Sequence, residues 1–311
     1  MLRAAVVRAG LYPNARVNRI ARQVWPRGYL RLAGMPPDWS IGLLEGSSPF
    51  DLHAHGAVPS PVIRSADVAD VPALLVADPF ALHLDGRWHV YFEVVNARSA
   101  KGEIALATST DLRAWTYEGV VLSEPFHLSY PFVFEWDGAL HMVPETWESG
   151  TVRLYRATRS PADWELVDVL LRGPVLLDST LVRHRDRWWM FSETNASHGY
   201  DTLRLFGADR LTGPWQEHPL SPIVRGDARI ARPAGRVVEH ADALVRYTQD
   251  CHGRYGQRVR AFEIHELSPD RYAEHPVDLR LHPGSWGVTA MHHVDAHRLR
   301  NGRWLAFVDG H

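Results

Sequence analysis

The sequence predicts an all-β fold, a five-bladed β-propeller of four-stranded blades whose last blade is closed by N-terminal strands. The first observation is a weak repeat, in which five short apolar segments end in a polar residue at intervals of 52, 48, 56 and 60 residues. These end residues are Glu93, Glu145, Glu193, Gln249 and Asp309. The second observation is a turn with Asp or Gly before every segment, so each unit opens with a hairpin. Units of this length with four strands are typical of propeller blades.

The later strands of each unit follow in order. A third strand, EIALATS in the first unit, precedes an aromatic residue and a fourth strand such as GVVLS. The aromatic residues are Trp115, Trp164, Trp215 and Tyr272. The fifth hairpin runs to His311, so the fifth unit lacks its third and fourth strands. We expect residues 40–52 and 61–65 to supply these two strands and close the ring, because closure removes exposed sheet edges.

A two-sheet sandwich of many short strands is the competing interpretation of the same pattern. The propeller is favoured because a sandwich has no need of five equal units. The expected organisation is a basic leader at residues 1–37 followed by one propeller at residues 38–311.

Composition and charge exclude several classes of protein. The chain has 311 residues, 45% of them hydrophobic, which indicates a globular protein rather than a disordered one. A formal net charge of -2 does not favour nucleic acid as a partner. The single Cys251 excludes an intrachain disulfide and a Cys-rich zinc site. No stretch approaches the ~20 apolar residues of a transmembrane segment, and we expect a cytoplasmic location.

The leader differs in charge from the rest of the chain. Residues 1–37 contain seven arginines and no acid, so the leader carries +7 and the remainder -2 minus 7, or -9. Apolar residues from Val17 to Trp25 recur at helical spacing, which predicts a short amphipathic helix. Such a helix could dock on an anionic partner or a membrane surface. Packing against the acidic body of its own chain is the favoured alternative.

The candidate site lies at one mouth of the central channel. In a four-stranded meander the first strand begins, and the second ends, on the same side of the blade. The five second-strand end residues therefore meet five first-strand residues: Asp78, Tyr130, Asp178, Arg232 and His292. Crowded carboxyl groups cannot all ionise freely, which separates their pKa values as acid–base chemistry requires. Trp147, Tyr130 and Trp286 are candidate flat faces for sugar rings, and the alternative role of each acid is to bond backbone N–H groups of neighbouring blades.

The motifs VADPF and HLDGRWHVYFE resemble the opening of the five-bladed propeller glycosidases of families 43, 32 and 68. WSIGLLEGSSPF, EPFHLSYPFVFEWDG, VRLYRAT, ARPAG and MHHVD are more closely similar to the propeller domain found N-terminal in glucosamine inositolphosphorylceramide transferases and related bacterial proteins. This likeness covers about residues 39 to 311. Because no glycosyltransferase domain follows in this sequence, the resemblance does not imply transferase activity here.

The glycosidase resemblance implies roles for particular residues. Asp78 would be the catalytic base or nucleophile, and Asp178 the carboxylate that tunes its partner. Family 43 enzymes place the general acid Glu at the start of blade four, where this sequence has Arg232 in ARPAG. Glu145 and Glu193 are the remaining candidates for the acid.

Two functions stay open from the sequence. The leading hypothesis is a glycoside hydrolase-like enzyme that cleaves a glycosidic bond with a carboxylate pair. The alternative is a non-catalytic propeller that binds a glycan or glycolipid and assists a separate glycosyltransferase. Glu93, Tyr130, Trp147, Arg232, Gln249, Trp286, His292 and Asp309 are the expected substrate-binding residues in either case.

No cofactor is required by these hypotheses, but an axial divalent cation is a candidate. His127 and His293, together with His292 and Asp295, could converge near the channel axis. The resemblance to propellers with an axial histidine points the same way. Alternation along a strand sends His292 and His293 to opposite faces, so a shared metal requires a bend there. Histidines that donate hydrogen bonds to substrate or pack in the core are the alternative.

Deletion of residues 1–37 is expected to leave a folded body, because the predicted ring is closed by strands that begin after the leader. The free energy of unfolding of the truncated and full-length chains, measured in urea, checks this expectation. A large loss of stability on truncation would show that the leader packs as part of the core.

Overall fold

The computed structural model describes residues 39–194 and 199–311. The predicted leader helix lies outside these residues. In chain order the strands are β1 (Ser40–Ser48), β2 (Asp51–Ala54), β3 (Ala73–Leu84), β4 (Arg87–Asn96), β5 (Lys101–Ser109), β6 (Thr116–Leu122), β7 (Ser129–Trp136), β8 (Ala139–Glu145), β9 (Thr151–Ala157), β10 (Trp164–Arg172), β11 (Leu177–His184), β12 (Arg187–Glu193), β13 (Thr202–Ala208), β14 (Gln216–Glu217), β15 (Val224–Arg225), β16 (Arg232–Pro233), β17 (Val238–His240), β18 (Ala243–Asp250), β19 (Arg258–Leu267), β20 (Tyr272–Val277), β21 (Arg280–His282), β22 (Val294–Arg298) and β23 (Trp304–Gly310). Two 3₁₀ turns lie at Ser65–Asp67 and Trp147–Ser149.

These strands form five sheets, which confirms the predicted five-bladed propeller. Strands β3–β6 form blade one, β7–β10 blade two, β11–β15 blade three and β16–β20 blade four. Blade five has the order β22, β23, β1, β2, and β21 is added in parallel beside β2. Within residues 39–194 and 199–311, no helix is long and apolar enough to cross a membrane.

The hairpins that open the blades have the turn chemistry expected from the sequence. In blades one to four both central turn residues have positive φ, as a two-residue type I′ turn requires. The pairs are Asp85–Gly86, Asp137–Gly138, Arg185–Asp186 and Ala241–Asp242. Because this turn matches the right-handed twist of the flanking strands, each hairpin forms from local sequence.

The ring is closed by its two ends. Strand β1 pairs antiparallel with β23 over seven residue pairs, from Ser40 opposite Gly310 to Gly46 opposite Trp304. The N-terminal strands therefore complete blade five, as the sequence predicts.

The predicted fourth strand of blade five was wrong. Residues 61–65 make only an isolated bridge, between Ile63 and Ile41, and β2 is the fourth strand instead. The cause is the tight return after β1, where a Cβ on Gly46 would lie 2.0 Å from the carbonyl oxygen of Asp51. This close approach turns the chain back immediately, so the next few residues take the outer position.

Aromatic side chains fill the space between blades. The fully buried Phe307 of β23 packs against Trp88 and Trp115 of blade one, with ring centroids 5.1 and 6.1 Å away. Because Phe307 lies on the closing strand, this contact joins the last blade to the first.

Replacement of Phe307 by Ala should destabilise the protein by about 3–5 kcal/mol, the cost of a large cavity in a packed core. Urea unfolding measures the change, and Leu220→Ala is the control because Leu220 is 53% exposed. Equal effects of the two substitutions would contradict the packing role of Phe307.

Candidate functional site at the channel mouth

A repeated backbone irregularity positions the first-strand residues. The pairing register shifts at Asp78, Tyr130 and Asp178 in blades one to three, and their φ angles are 52°, 45° and 47°. Each shift is a β-bulge, which re-aims a side chain. Proline follows the first two of these residues. Pro has no N–H to donate to the ladder, and it fits at a bulge because a bulge leaves one residue unpaired. The bulges place three polar side chains at equivalent positions around the channel.

Carboxylates join neighbouring blades at the mouth. Asp309 of blade five accepts the backbone N–H of Asp78 at 3.0 Å, and the N–H groups of His292 and His293 at 3.1 and 3.0 Å. Asp78 in turn accepts the N–H of Tyr130 from blade two at 3.2 Å. Both acids therefore bond backbone groups of neighbouring blades, which was the alternative role considered for them.

Arg232 and Asp178 form a buried ion pair across blades three and four. Arg232 donates from Nε and Nη2 to the two oxygens of Asp178 at 2.6 and 3.3 Å. Gln249 Nε2 donates to the same carboxylate at 2.7 Å, and Arg232 Nη2 lies 3.6 Å from a carboxylate oxygen of Glu145. The four side chains are buried. Arg232, at the position where the glycosidase resemblance implies a general acid, is thus a cation bonded to Asp178.

Two tyrosines that the sequence did not single out stack on this cation. The Arg232 guanidinium carbon lies 4.9 Å from the ring centroid of Tyr200 and 5.1 Å from that of Tyr255. Both tyrosines lie in loops that join the second and third strands of their blades. Their shared position in the sequence could have identified them, because each tyrosine lies in the loop that follows a second-strand end residue.

Burial and crowding shift the pKa values of two candidate catalytic acids upward. Burial is the main cause for Asp78, and the charges of Asp309, Glu93 and Asp178 add to it. Burial and then the Asp178 charge raise the pKa of Glu145 well above its usual range. Glu145 is therefore suited to carry a proton, whereas an ionised base is disfavoured at Asp78.

The two adjacent histidines differ in charge. Burial alone would lower the pKa of His292, but its ion pair with Asp309, 2.7 Å from Nδ1, outweighs burial and raises the pKa to about 9. Burial lowers the pKa of His293 to about 4. Their ring nitrogens lie 3.9 and 3.8 Å from Oδ1 of Asp78, so both rings reach the same carboxylate despite strand alternation.

The predicted axial cation would compete with a proton in this network. Asp78, His292 and Asp309 hold ligand atoms within 4.8 Å of one another. His292 is positively charged at neutral pH and its Nδ1 lies 2.7 Å from Asp309, so a cation bound through this ring would have to displace a proton. The axial cation stays a prediction, and Asp78, His292 and Asp309 are its candidate ligands.

Two of the predicted metal ligands are held elsewhere. His127 lies 3.2 Å from Glu93 through Nε2 and accepts the N–H of Gly102 at Nδ1. Asp295 bonds Arg236 at 2.9 Å and His297 at 2.7 Å. Neither belongs to the group of Asp78, His292 and Asp309 that could hold a cation among the described residues.

The channel is bridged below the mouth. The Tyr130 hydroxyl bonds Thr180 at 2.7 Å and accepts the N–H of Gly235 at 2.7 Å. Arg236 bonds Asp295 and donates to the carbonyl of Val133 at 2.9 Å. The bonds of Gly235 to Tyr130 and of Arg236 to Val133 join blade four to blade two, which are not neighbours in the ring. Tyr130 is thereby a structural bridge as well as a residue of the mouth.

The remaining candidates lie around the same end of the propeller. Glu193 is fully buried and pairs with Leu177, the neighbour of Asp178. Trp147 begins the 3₁₀ turn after β8 and is half-buried. Trp286 donates its indole N–H to Ser40 at 2.9 Å and lies where a Cβ on Gly42 would be 2.2 Å away. Trp286 is therefore packed on blade five, which leaves less of its ring available to a sugar.

The ion pair of His292 predicts a pH dependence of stability. A raised folded-state pKa contributes stability that is complete below the unfolded value near 6.5 and is lost as pH rises through about 9. The contribution is at most about 3 kcal/mol. In urea unfolding, the stability difference between wild type and His292→Gln should shrink between pH 6.5 and 9.5. A difference that does not change with pH would contradict this assignment.

Comparisons with known proteins agree with this architecture. The solved structures of an exo-β-1,3-galactanase from Clostridium thermocellum and a GH62 α-L-arabinofuranosidase from Coprinopsis cinerea share the fold. The galactanase has a TM-score of 0.54 at 13% identity, covering 68% of this chain and 51% of its own. The arabinofuranosidase has a TM-score of 0.57 at 12% identity, covering 89% of this chain and 98% of its own.

Curated relatives are more similar in sequence. Glucosamine inositolphosphorylceramide transferase 1 of Oryza sativa subsp. japonica is 35% identical over 308 residues, and that of Arabidopsis thaliana is 34% identical over 296. These matches cover 90% and 88% of this chain but only 41% and 39% of the relatives' own lengths. Residues 35–311 match the family described as glucosamine inositolphosphorylceramide transferase 1, N-terminal, and the chain belongs to this family.

Proposed function

We propose that the channel mouth binds the carbohydrate part of a glycoconjugate without cleaving it. The observation that carries the proposal is the buried pair of Arg232 and Asp178, 2.6 Å apart. The pair puts a fixed cation where family 43 enzymes carry a general acid, and it occupies Asp178 with hydrogen bonds. A site built in this way offers recognition rather than proton transfer.

The mouth carries the groups that sugar recognition needs. Asp78 Oδ1 is buried and has no hydrogen-bond partner among the described residues, so it can accept a bond from a sugar hydroxyl. His292, charged at neutral pH, can donate from Nε2 beside it. Tyr200, Tyr255 and Trp147 add aromatic surface. Such a mixture of few polar groups and aromatic faces is typical of small-molecule sites.

The names of the curated relatives support the ligand class. They denote glucosamine inositolphosphorylceramide transferases, and so name an amino sugar together with a ceramide that has an inositol phosphate headgroup. We extend this to the present chain only as a proposal: its propeller recognises the sugar headgroup of such a glycoconjugate and serves a glycosyltransferase. Transfer itself is not ascribed to the propeller.

Hydrolysis is the second candidate function, and Glu145 supports it. Its raised pKa and its position near Asp178 and Arg232 suit a group that protonates a leaving oxygen. The raised pKa of Asp78 weighs against this reading, since a base or nucleophile must be ionised at the working pH.

Calorimetric titration with glucosamine, myo-inositol 1-phosphate and a panel of oligosaccharides tests the proposal, beside turnover assays with aryl glycosides. We expect binding without turnover, and loss of binding in Asp78→Asn. Glu135→Gln is the matched control. Glu135 is an exposed acid near the end of β7, whereas Tyr130 of the channel mouth lies near the start of that strand, so the substitution should leave binding unchanged.

Turnover that is lost in both Asp78→Asn and Glu145→Gln would replace the binding function by hydrolysis. The absence of binding to every sugar tested would overturn the proposal itself.

A further inference from the structure

Three potential metal ligands meet on the outer edge of blade five, away from the channel. Strands β2 and β21 pair in parallel, with His53 opposite His282 and Asp51 opposite Arg280. The two imidazole rings stack with centroids 4.8 Å apart and an interplanar angle of 17°. His53 Nε2 lies 3.2 Å from Oδ1 of Asp51, and one ligand atom from each of Asp51, His53 and His282 lies within 4.8 Å of the others.

The backbone beneath these side chains is firmly held. Leu52, between the two ligands of β2, is fully buried and packs in the core with Leu281. Arg280 N–H donates to the carbonyl of Phe50 at 2.7 Å, which anchors the start of β21. The Arg280 side chain bonds Asp278 at 2.9 Å. The ligands thus project from a rigid sheet edge, and the nearest cation in register has its own carboxylate partner.

We propose that Asp51, His53 and His282 form a binding site for a divalent transition-metal ion of the Zn²⁺ type. Two imidazole nitrogens and one carboxylate oxygen are ligands that suit zinc, copper or nickel, whereas Ca²⁺ and Mg²⁺ take oxygen ligands. His53 and His282 are exposed and Asp51 is partly so, which gives an ion a direct path from solvent and leaves coordination positions for water.

The location gives the ion a structural consequence. His53 lies in β2, near the start of the described chain, and His282 lies in β21, just before blade five begins with β22. The two histidines are 282 minus 53, or 229, residues apart in sequence. An ion held by both histidines would strengthen the pairing of β21 with β2. It would thereby support the same blade in which the β1–β23 pairing closes the ring. Since the unfolded chain does not hold these ligands together, binding should also raise the thermal unfolding temperature.

Calorimetric titration of the metal-free, untagged full chain with ZnCl₂ tests the site. We expect one binding event that is lost in His53→Asn and in His282→Asn and weakened in Asp51→Asn. These residues lie at the surface, so circular dichroism should show unchanged folding. Addition of ZnCl₂ should raise the unfolding temperature of wild type and not that of His282→Asn, whereas CaCl₂ should not change it.

His265→Asn is the matched control. His265 and His275 form another exposed pair, with Nδ1 atoms 3.5 Å apart, but do not belong to a three-ligand group among the described residues. The control should retain zinc binding. Absence of binding in wild type, or equal loss in His265→Asn, would overturn the proposal. Binding that survives His282→Asn but is lost in His292→Asn would place the ion in the channel and overturn it too.

Discussion

The pairing of β1 with β23 is the interaction on which the rest of the structure depends. Seven residue pairs join the two ends of the described chain and turn an open row of blades into a ring. The same pairing holds Asp309, opposite Ile41, beside blade one, where its carboxylate accepts the N–H of Asp78. The strand pairing that closes the ring therefore also positions the Asp309 carboxylate in the site. A chain without this pairing would expose two sheet edges and lose the bond between the first and last blades.

Burial of polar groups explains how the mouth is organised. Each bulge carries a polar side chain into a space where an unpaired carboxylate would be costly, so the side chains satisfy one another. Asp309 takes three backbone N–H groups, and Arg232 with Gln249 surrounds Asp178. Among the described residues, Oδ1 of Asp78 and both ring nitrogens of His293 are buried atoms of the mouth that keep no hydrogen-bond partner. The Asp78 oxygen lies 3.9 Å from Nε2 of the charged His292, where a ligand hydroxyl could be both donor and acceptor.

The same network bears on the choice between binding and hydrolysis. A hydrolase needs one ionised and one protonated carboxyl group at a defined separation. Here burial raises the pKa of both Asp78 and Glu145, and the third acid is neutralised by Arg232. The fold is consistent with either binding or hydrolysis, because function lies in the side chains at the mouth rather than in the blades.

Local sequence determined the blades. Alternating strands and hairpin turns such as Asp85–Gly86 act over a few residues, so the five units and their order could be read from the chain. Glu145 and Glu193 end their strands as predicted, whereas β4 continues three residues beyond Glu93, to Asn96. The first-strand residues Asp78, Tyr130 and Asp178 could be found by counting, although their bulges could not.

Only the tertiary structure decided how these groups are paired. The bond of Arg232 to Asp178, for example, joins two blades through residues that are 54 positions apart in sequence. It also placed Tyr200 and Tyr255 on that guanidinium and moved the fourth strand of blade five from residues 61–65 to β2. Such contacts depend on ring closure and close packing, which no local pattern encodes.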